Sequence, residues 1–162
     1  MKSILAVLFL SVSTFSLPLQ ALACSCTEPA SIEQAFNEAS LVFLGRVKKI
    51  RENPLRKGQR EVTFAITTLF KDDTETEQKL EQVLIYTPMD EAMCGVNFAI
   101  EFDYLVFANG TPAHYKTNLC MNNKAIDIAT DDVKELEKLT NASQAESAQL
   151  PMPQSKNRSL GN

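Results

Sequence analysis

Residues 41–50 read LVFLGRVKKI and residues 61–70 read EVTFAITTLF. The first run is apolar and β-branched enough for a strand, and Gly45 in its middle marks a bulge or sharp bend. In the second, Val62, Phe64, Ile66 and Phe70 share one face, while Thr63, Thr67 and Lys71 fall largely on the other. That period of two belongs to a half-buried strand. A polar connector, 51–59, carries Pro54 and Gly58 between them. Downstream, QVLIYT (82–87) and FDYLVFA (102–108, ended by Asn109-Gly110) predict two more strands, and His114 to Leu119 a fifth. The acidic stretch 72–82 reads as a solvated loop, and Pro88 to Glu91 as a turn-prone one.

Helical patterns flank these strands. Ser31 to Ala39 (SIEQAFNEA) has Ser31 as N-cap and Gln34 three residues on, as in a capping box, with Ile32, Ala35 and Phe36 on one face. Asp131 to Leu139 (DDVKELEKL) starts with acids and turns Val133 and Leu136 inward. Five short strands are too few for a typical sandwich. A small closed or partly closed barrel suits them better, because closure removes sheet edges. The expected fold class is therefore mainly β, a five-stranded barrel with short flanking helices, over residues 24–139. Residues 140–162, rich in Ser, Gln, Asn and Pro, are expected to form a disordered polar tail.

The chain begins with an address. Lys2 supplies a positive start, Ile4 to Leu10 an apolar run, and Ala21-Leu22-Ala23 a small-x-small cleavage site. Residues 1–23 are read as a signal peptide, which places the product outside the cytoplasm, secreted or periplasmic. Its removal leaves 139 residues and, with Lys2 gone, moves the formal charge from −4 to −5. Such a balance argues against a general nucleic-acid binder. A single His, His114, rules out a His-rich metal cluster and is read as a strand-surface or barrel residue. There is no Gly-rich phosphate loop and no G-x-S-x-G, so the sequence predicts no enzyme and no cofactor.

All four cysteines, Cys24, Cys26, Cys94 and Cys120, follow the cleavage site. In an exported chain an even count reads as two disulfides, for which sequence alone allows three pairings. Cys24 and Cys26 are too close to pair comfortably with each other. A zinc site is disfavoured, since C-x-C with two remote singletons lacks paired knuckles. Cleavage after Ala23 makes Cys24 the first residue of the product. Its amine is then either free, with the sulfur in a disulfide, or part of a lipidated anchor. Ala21 and Leu22 fit a lipobox poorly, and lipidation would leave an odd thiol, so anchoring is the minor alternative.

Several stretches taken together resemble the tissue inhibitors of metalloproteinases, within the netrin-like domain superfamily. They are Cys24-Ser25-Cys26, Gln34-Ala35-Phe36, the Leu41 to Val47 strand, Asn53-Pro54 with Arg56, and Phe70-Lys71. Ile85-Tyr86-Thr87, Cys94-Gly95, Tyr104-Leu105-Val106 and Thr117-x-x-Cys120 complete the set. The resemblance covers about residues 24–125, the family's inhibitory N-terminal domain. Two departures stand out. Asn37 lies where the family has a further cysteine, and the family's second, cysteine-rich domain has no counterpart in these 162 residues.

The resemblance implies an OB-fold-like barrel, likewise Cys24–Cys94 and Cys26–Cys120 bridges, 70 and 94 residues apart. It implies an inhibitor of zinc metalloproteinases in which Cys24 chelates the target's zinc through its backbone amine and carbonyl, not its sulfur. Ser25 would enter the specificity pocket, with Thr27, Ala92 and Met93 bordering it and Cys26 clamping the terminus through its bridge. The reading of a different class is a non-inhibitory netrin-like binding module. For it, Arg46, Lys48, Lys49, Arg51, Arg56, Lys57 and Arg60 form a basic stretch suited to an anionic polysaccharide or surface. A monomer is expected in either case.

Overall fold

The computed structural model describes residues 24–26, 31–74 and 80–149, with side chains as far as 143. The signal segment 1–23, Thr27 and residues 150–162 lie outside the described residues. Helix α1 (Ile32–Glu38) opens the domain, and the Ser31 hydroxyl caps it by accepting from the Gln34 amide at 3.1 Å. Only half of the capping box forms, because the Gln34 side chain donates forward to Glu38 at 2.9 Å instead of back to Ser31.

Strands β1 (Leu41–Glu52), β2 (Gln59–Asp72), β3 (Gln82–Pro88), β4 (Asp103–Ala108), β5 (Tyr115–Lys116) and β6 (Lys124–Ala125) make one sheet ordered β5-β3-β2-β1-β4-β6. All neighbours are antiparallel except β3 and β5, which run parallel. The fold is mainly β with flanking helices, as expected, and two details are corrected. The described residues form six strands, the extra one being the two-residue β6. The sheet is not closed into a barrel; a single bridge between Asn109 and Lys116 is what links β5 to the end of β4. The fifth strand shrinks from six residues to two: the Thr117 amide still bonds to Tyr86 of β3, and the chain then turns at Leu119 and Cys120.

Two cores lie on opposite sides of this sheet. Inside the curl, Leu41, Phe43 and Val47 of β1 meet Val62 and Phe64 of β2, Ile85, Phe98, Val106 and Tyr115. Outside it, Val42, Leu105 and Phe107 receive Ile32 and Phe36 of α1 and Leu136 of helix α2 (Thr130–Gln149). Gly45 sits at a register shift, and a Cβ there would lie 2.9 Å from both the Ala65 carbonyl and the Phe43 ring. That shift leaves Thr67 of β2, and another between Val42 and Phe43 leaves Phe70, without a partner on β1, so strict alternation breaks. Phe70 accordingly packs in the outer core with the helices, not with Val62 and Phe64.

Helix α2 does not stop at Leu139. It runs on to Gln149, so the first ten residues of the expected tail are helical. Leu139 packs on the outer core, and the Thr140 hydroxyl donates to the Leu136 carbonyl at 2.9 Å and the Phe70 carbonyl at 3.3 Å. Ala, Gln and Glu in this stretch are also good helix formers, a preference that a polar composition hides.

Candidate inhibitory ridge

Cys24, Ser25 and Cys26 form a short extended segment pinned at both ends. Cys24 is bonded to Cys94 and Cys26 to Cys120, with Cα–Cα separations of 5.1 and 5.3 Å. Those are the pairings that the resemblance implied. The sulfurs of Cys24, Cys26 and Cys120 lie within 4.8 Å of one another, but all are spent in disulfides and offer no thiolate to a metal.

Cys94 closes a one-turn 3₁₀ segment, Glu91–Met93. Asp90 caps it, its carboxylate accepting from the Met93 amide at 2.9 Å. The Asp90 carbonyl takes the Gly95 amide at 2.8 Å, which folds the loop back on itself. Cys94 sits in the left-handed region at φ 65°, a conformation that costs an L-residue about 1–2 kcal/mol and here is held by the bridge. Gly95 follows because nothing larger fits: a Cβ would fall 2.2 Å from the Pro88 carbonyl oxygen.

The second anchor is the Thr117–Cys120 turn. Buried Thr117 donates its hydroxyl to the Phe107 carbonyl at 2.6 Å and its amide to Tyr86 at 2.9 Å. Asn123 joins this turn to β4: its side-chain amide donates to the Thr117 hydroxyl (2.8 Å) and the Asn118 carbonyl (2.9 Å), and its oxygen accepts from the Phe107 amide. Asn118 in turn accepts from the Cys120 amide at 2.9 Å, and the Leu119 amide donates to the Cys94 carbonyl at 2.9 Å. The two half-cystine loops are thus hydrogen-bonded to each other and disulfide-bonded to the N-terminal segment.

Of the expected site residues, Ser25, Cys26, Ala92 and Met93 are exposed and Cys24 is half-buried. The bridges bring Cys24 and Cys26 to the Ala92–Met93 turn and the Cys120 turn, making one ridge. The sequence reading missed the residues beneath it. Asp90 had a legible signal, an N-cap Asp ahead of a short turn, and Asn118 turns locally onto Cys120 two residues on, whereas Asn123 reaches back to Phe107 and shows none.

The basic stretch does not form one patch. Arg46 forks onto Asp103 at 3.0 and 2.6 Å and holds that carboxyl below its ordinary range. Lys48 pairs with Glu101 at 2.7 Å, Arg51 with buried Glu61, and Arg60 bonds Asn97 at 3.3 Å. Lys49, Arg56 and Lys57 are left without an acidic partner among the described residues.

No helix among the described residues is long and apolar enough to cross a membrane. Comparison with curated proteins finds no match. A family model, tissue inhibitor of metalloproteinase, matches residues 22–144, from the predicted cleavage site well into α2. That covers most of the chain, including both bridges and the whole sheet. The chain belongs to the tissue inhibitor of metalloproteinase family, and its kind of function is inhibition of metalloproteinases, not catalysis.

Proposed function

We propose that the chain is exported, cleaved after Ala23, and inhibits a zinc metalloproteinase through the free amine and carbonyl of Cys24. A zinc peptidase keeps one coordination position open for water. A terminal amine has a pKa of about 8, so a useful fraction is neutral near pH 7 and able to coordinate. The observation that carries this reading is the double clamp. Cys24 and Cys26 are tethered on either side of exposed Ser25, which removes the ordering cost that a free terminus would incur on binding. Ser25 then offers a small hydroxyl to the specificity pocket, and Ala92 and Met93 border it.

Adding one residue before Cys24, or carbamylating its amine, tests the proposal. The inhibition constant against a zinc peptidase is expected to weaken by about a hundredfold or more, while the thermal midpoint stays unchanged. Equal constants for native and extended forms refute it. A second contact, with an anionic polysaccharide, is supported by Lys49, Arg56 and Lys57, the cations of the basic stretch that lack an acidic partner.

A further inference from the structure

Three of the four sulfurs crowd one spot. The Sγ atoms of Cys24, Cys26 and Cys120 lie within 4.8 Å of one another, although only Cys26 and Cys120, the outer bridge, are bonded together. Cys24 belongs to the other bridge, whose far end is Cys94. The outer bridge is open to a reagent: Cys26 and Cys120 are exposed, whereas Cys24 and Cys94 are half-buried. A disulfide exchanges when a thiolate attacks one sulfur and the other leaves. A thiolate released at either end of the outer bridge therefore starts with a second disulfide within 4.8 Å. Departure of Cys94 is favoured by its left-handed backbone, φ 65°, which release would relax. Chain entropy does not oppose the exchanged pairs either. Cys24–Cys120 and Cys26–Cys94 would close loops of almost the same length as the present 70 and 94 residues.

We infer that the ridge is a thiol-operated switch: a low-molecular-weight thiol exchanges its two bridges for Cys24–Cys120 and Cys26–Cys94, turning the inhibitor off without unfolding it. Attack of the external thiolate on the Cys26 sulfur breaks the outer bridge and releases the Cys120 thiolate. That thiolate attacks Cys24, forming Cys24–Cys120 and expelling Cys94. The Cys94 thiolate then attacks the mixed disulfide at Cys26, forming Cys26–Cys94 and returning the external thiolate. Two disulfides stand in the chain before and after, so nothing is oxidised or reduced overall. The off state rests on the chelation reading above. Exchange carries Cys24 to the place of Cys26, two residues along, a shift of about 7 Å. Zinc takes a nitrogen or oxygen ligand at about 2 Å and tolerates only a few tenths, so the contact is lost. The strands hold no cysteine, so their pairing is untouched.

The test incubates the mature, oxidised chain with a glutathione redox buffer near pH 8, where part of the thiol is ionised. Free thiols are then blocked, and the linked peptides are fragmented between residues 24 and 26 to assign each sulfur. Both exchanged links are expected in about a tenth of the chains or more. Inhibition of a zinc peptidase should fall in the same proportion, while the circular-dichroism signal of the sheet holds. A Cys94→Ser variant needs no added thiol, because Cys24 is then itself a thiol beside the outer bridge. A maleimide should label Cys24 and Cys26 of that variant in comparable amounts. Absence of exchanged links in the parent, or label confined to Cys24 in the folded variant, overturns the switch and leaves chelation by Cys24 standing. Exchanged chains that inhibit as tightly as native ones overturn the switch and the chelation reading together.

Discussion

The inhibitory ridge and the sheet interior are held by different physics. Phe43, Phe64, Leu105 and Leu136 are 0% exposed, and their order comes from apolar area removed from water. On the ridge, Met93 is 49% and Leu119 44% exposed, and Ser25 and Ala92 face solvent. A surface that must meet a partner cannot gain rigidity by burial. It takes that rigidity instead from two disulfides and a set of hydrogen bonds running through Asp90, Thr117, Asn118 and Asn123. Binding geometry and fold stability are therefore separable in this molecule, and each can be disturbed with the other watched.

The largest disturbance is removal of the outer bridge. In Cys26→Ser with Cys120→Ser, a link spanning 94 residues is lost. On the chain-entropy account, whose mechanism is model-dependent, that costs about 4–5 kcal/mol. Denaturant titration should show that loss. Inhibition measured on the fraction still folded should weaken as well, because Ser25 is then tethered on one side only. Unchanged inhibition with reduced stability would break the comparison, since it makes the bridge a staple and nothing more.

Most of the sheet was legible in the chain. Four of the strands lie within two residues of the positions read from alternation, and Gly45 marks a true register shift. The failures share a cause. Phe70 changes sides because unpaired Thr67, between it and Ile66, interrupts a period of two, and a bulge depends on the partner strand, not on the local pattern. The length of α2 was hidden because its last turns are polar, anchored by Thr140 to β2 instead of by an apolar stripe. The ridge was legible only as cysteines and an address. Nothing in a linear reading links Asn123 to Phe107, or Arg56 to His114, because their meetings are made by the sheet.

A cut in the interior should give the opposite pattern to the bridge. Phe64 meets Phe43 and Phe98 edge-on, with centroids 5.3 and 5.1 Å away. Phe64→Ala should cost about 3–5 kcal/mol, read as a lower denaturation midpoint. Below that midpoint its inhibition constant should match the parent. A weakened constant in fully folded protein would show that the ridge borrows rigidity from the inner core after all.

The smallest effect places pH sensitivity on one side of the comparison. Tyr115 is 1% exposed, and its hydroxyl donates to Asp72 at 3.1 Å. Burial first, then the Asp72 charge, raises its pKa to about 12 from an ordinary value of about 10. The neutral phenol is the form the fold holds. Below pH 10 both folded and unfolded chains keep the proton, and the stability is fully present. Between about 10 and 12 the unfolded chain releases it and the folded chain does not, so stability falls by about 2–3 kcal/mol across that window. Tyr115→Phe should flatten the decline while sacrificing one hydrogen bond at neutral pH, where Asp72 keeps the Thr74 hydroxyl at 2.7 Å. Chemical denaturation at pH 9 and pH 11.5 reads the difference. An equal decline in parent and variant would move the alkaline weakness elsewhere, and the disulfide-held ridge, open to hydroxide-driven exchange, is then the region to examine.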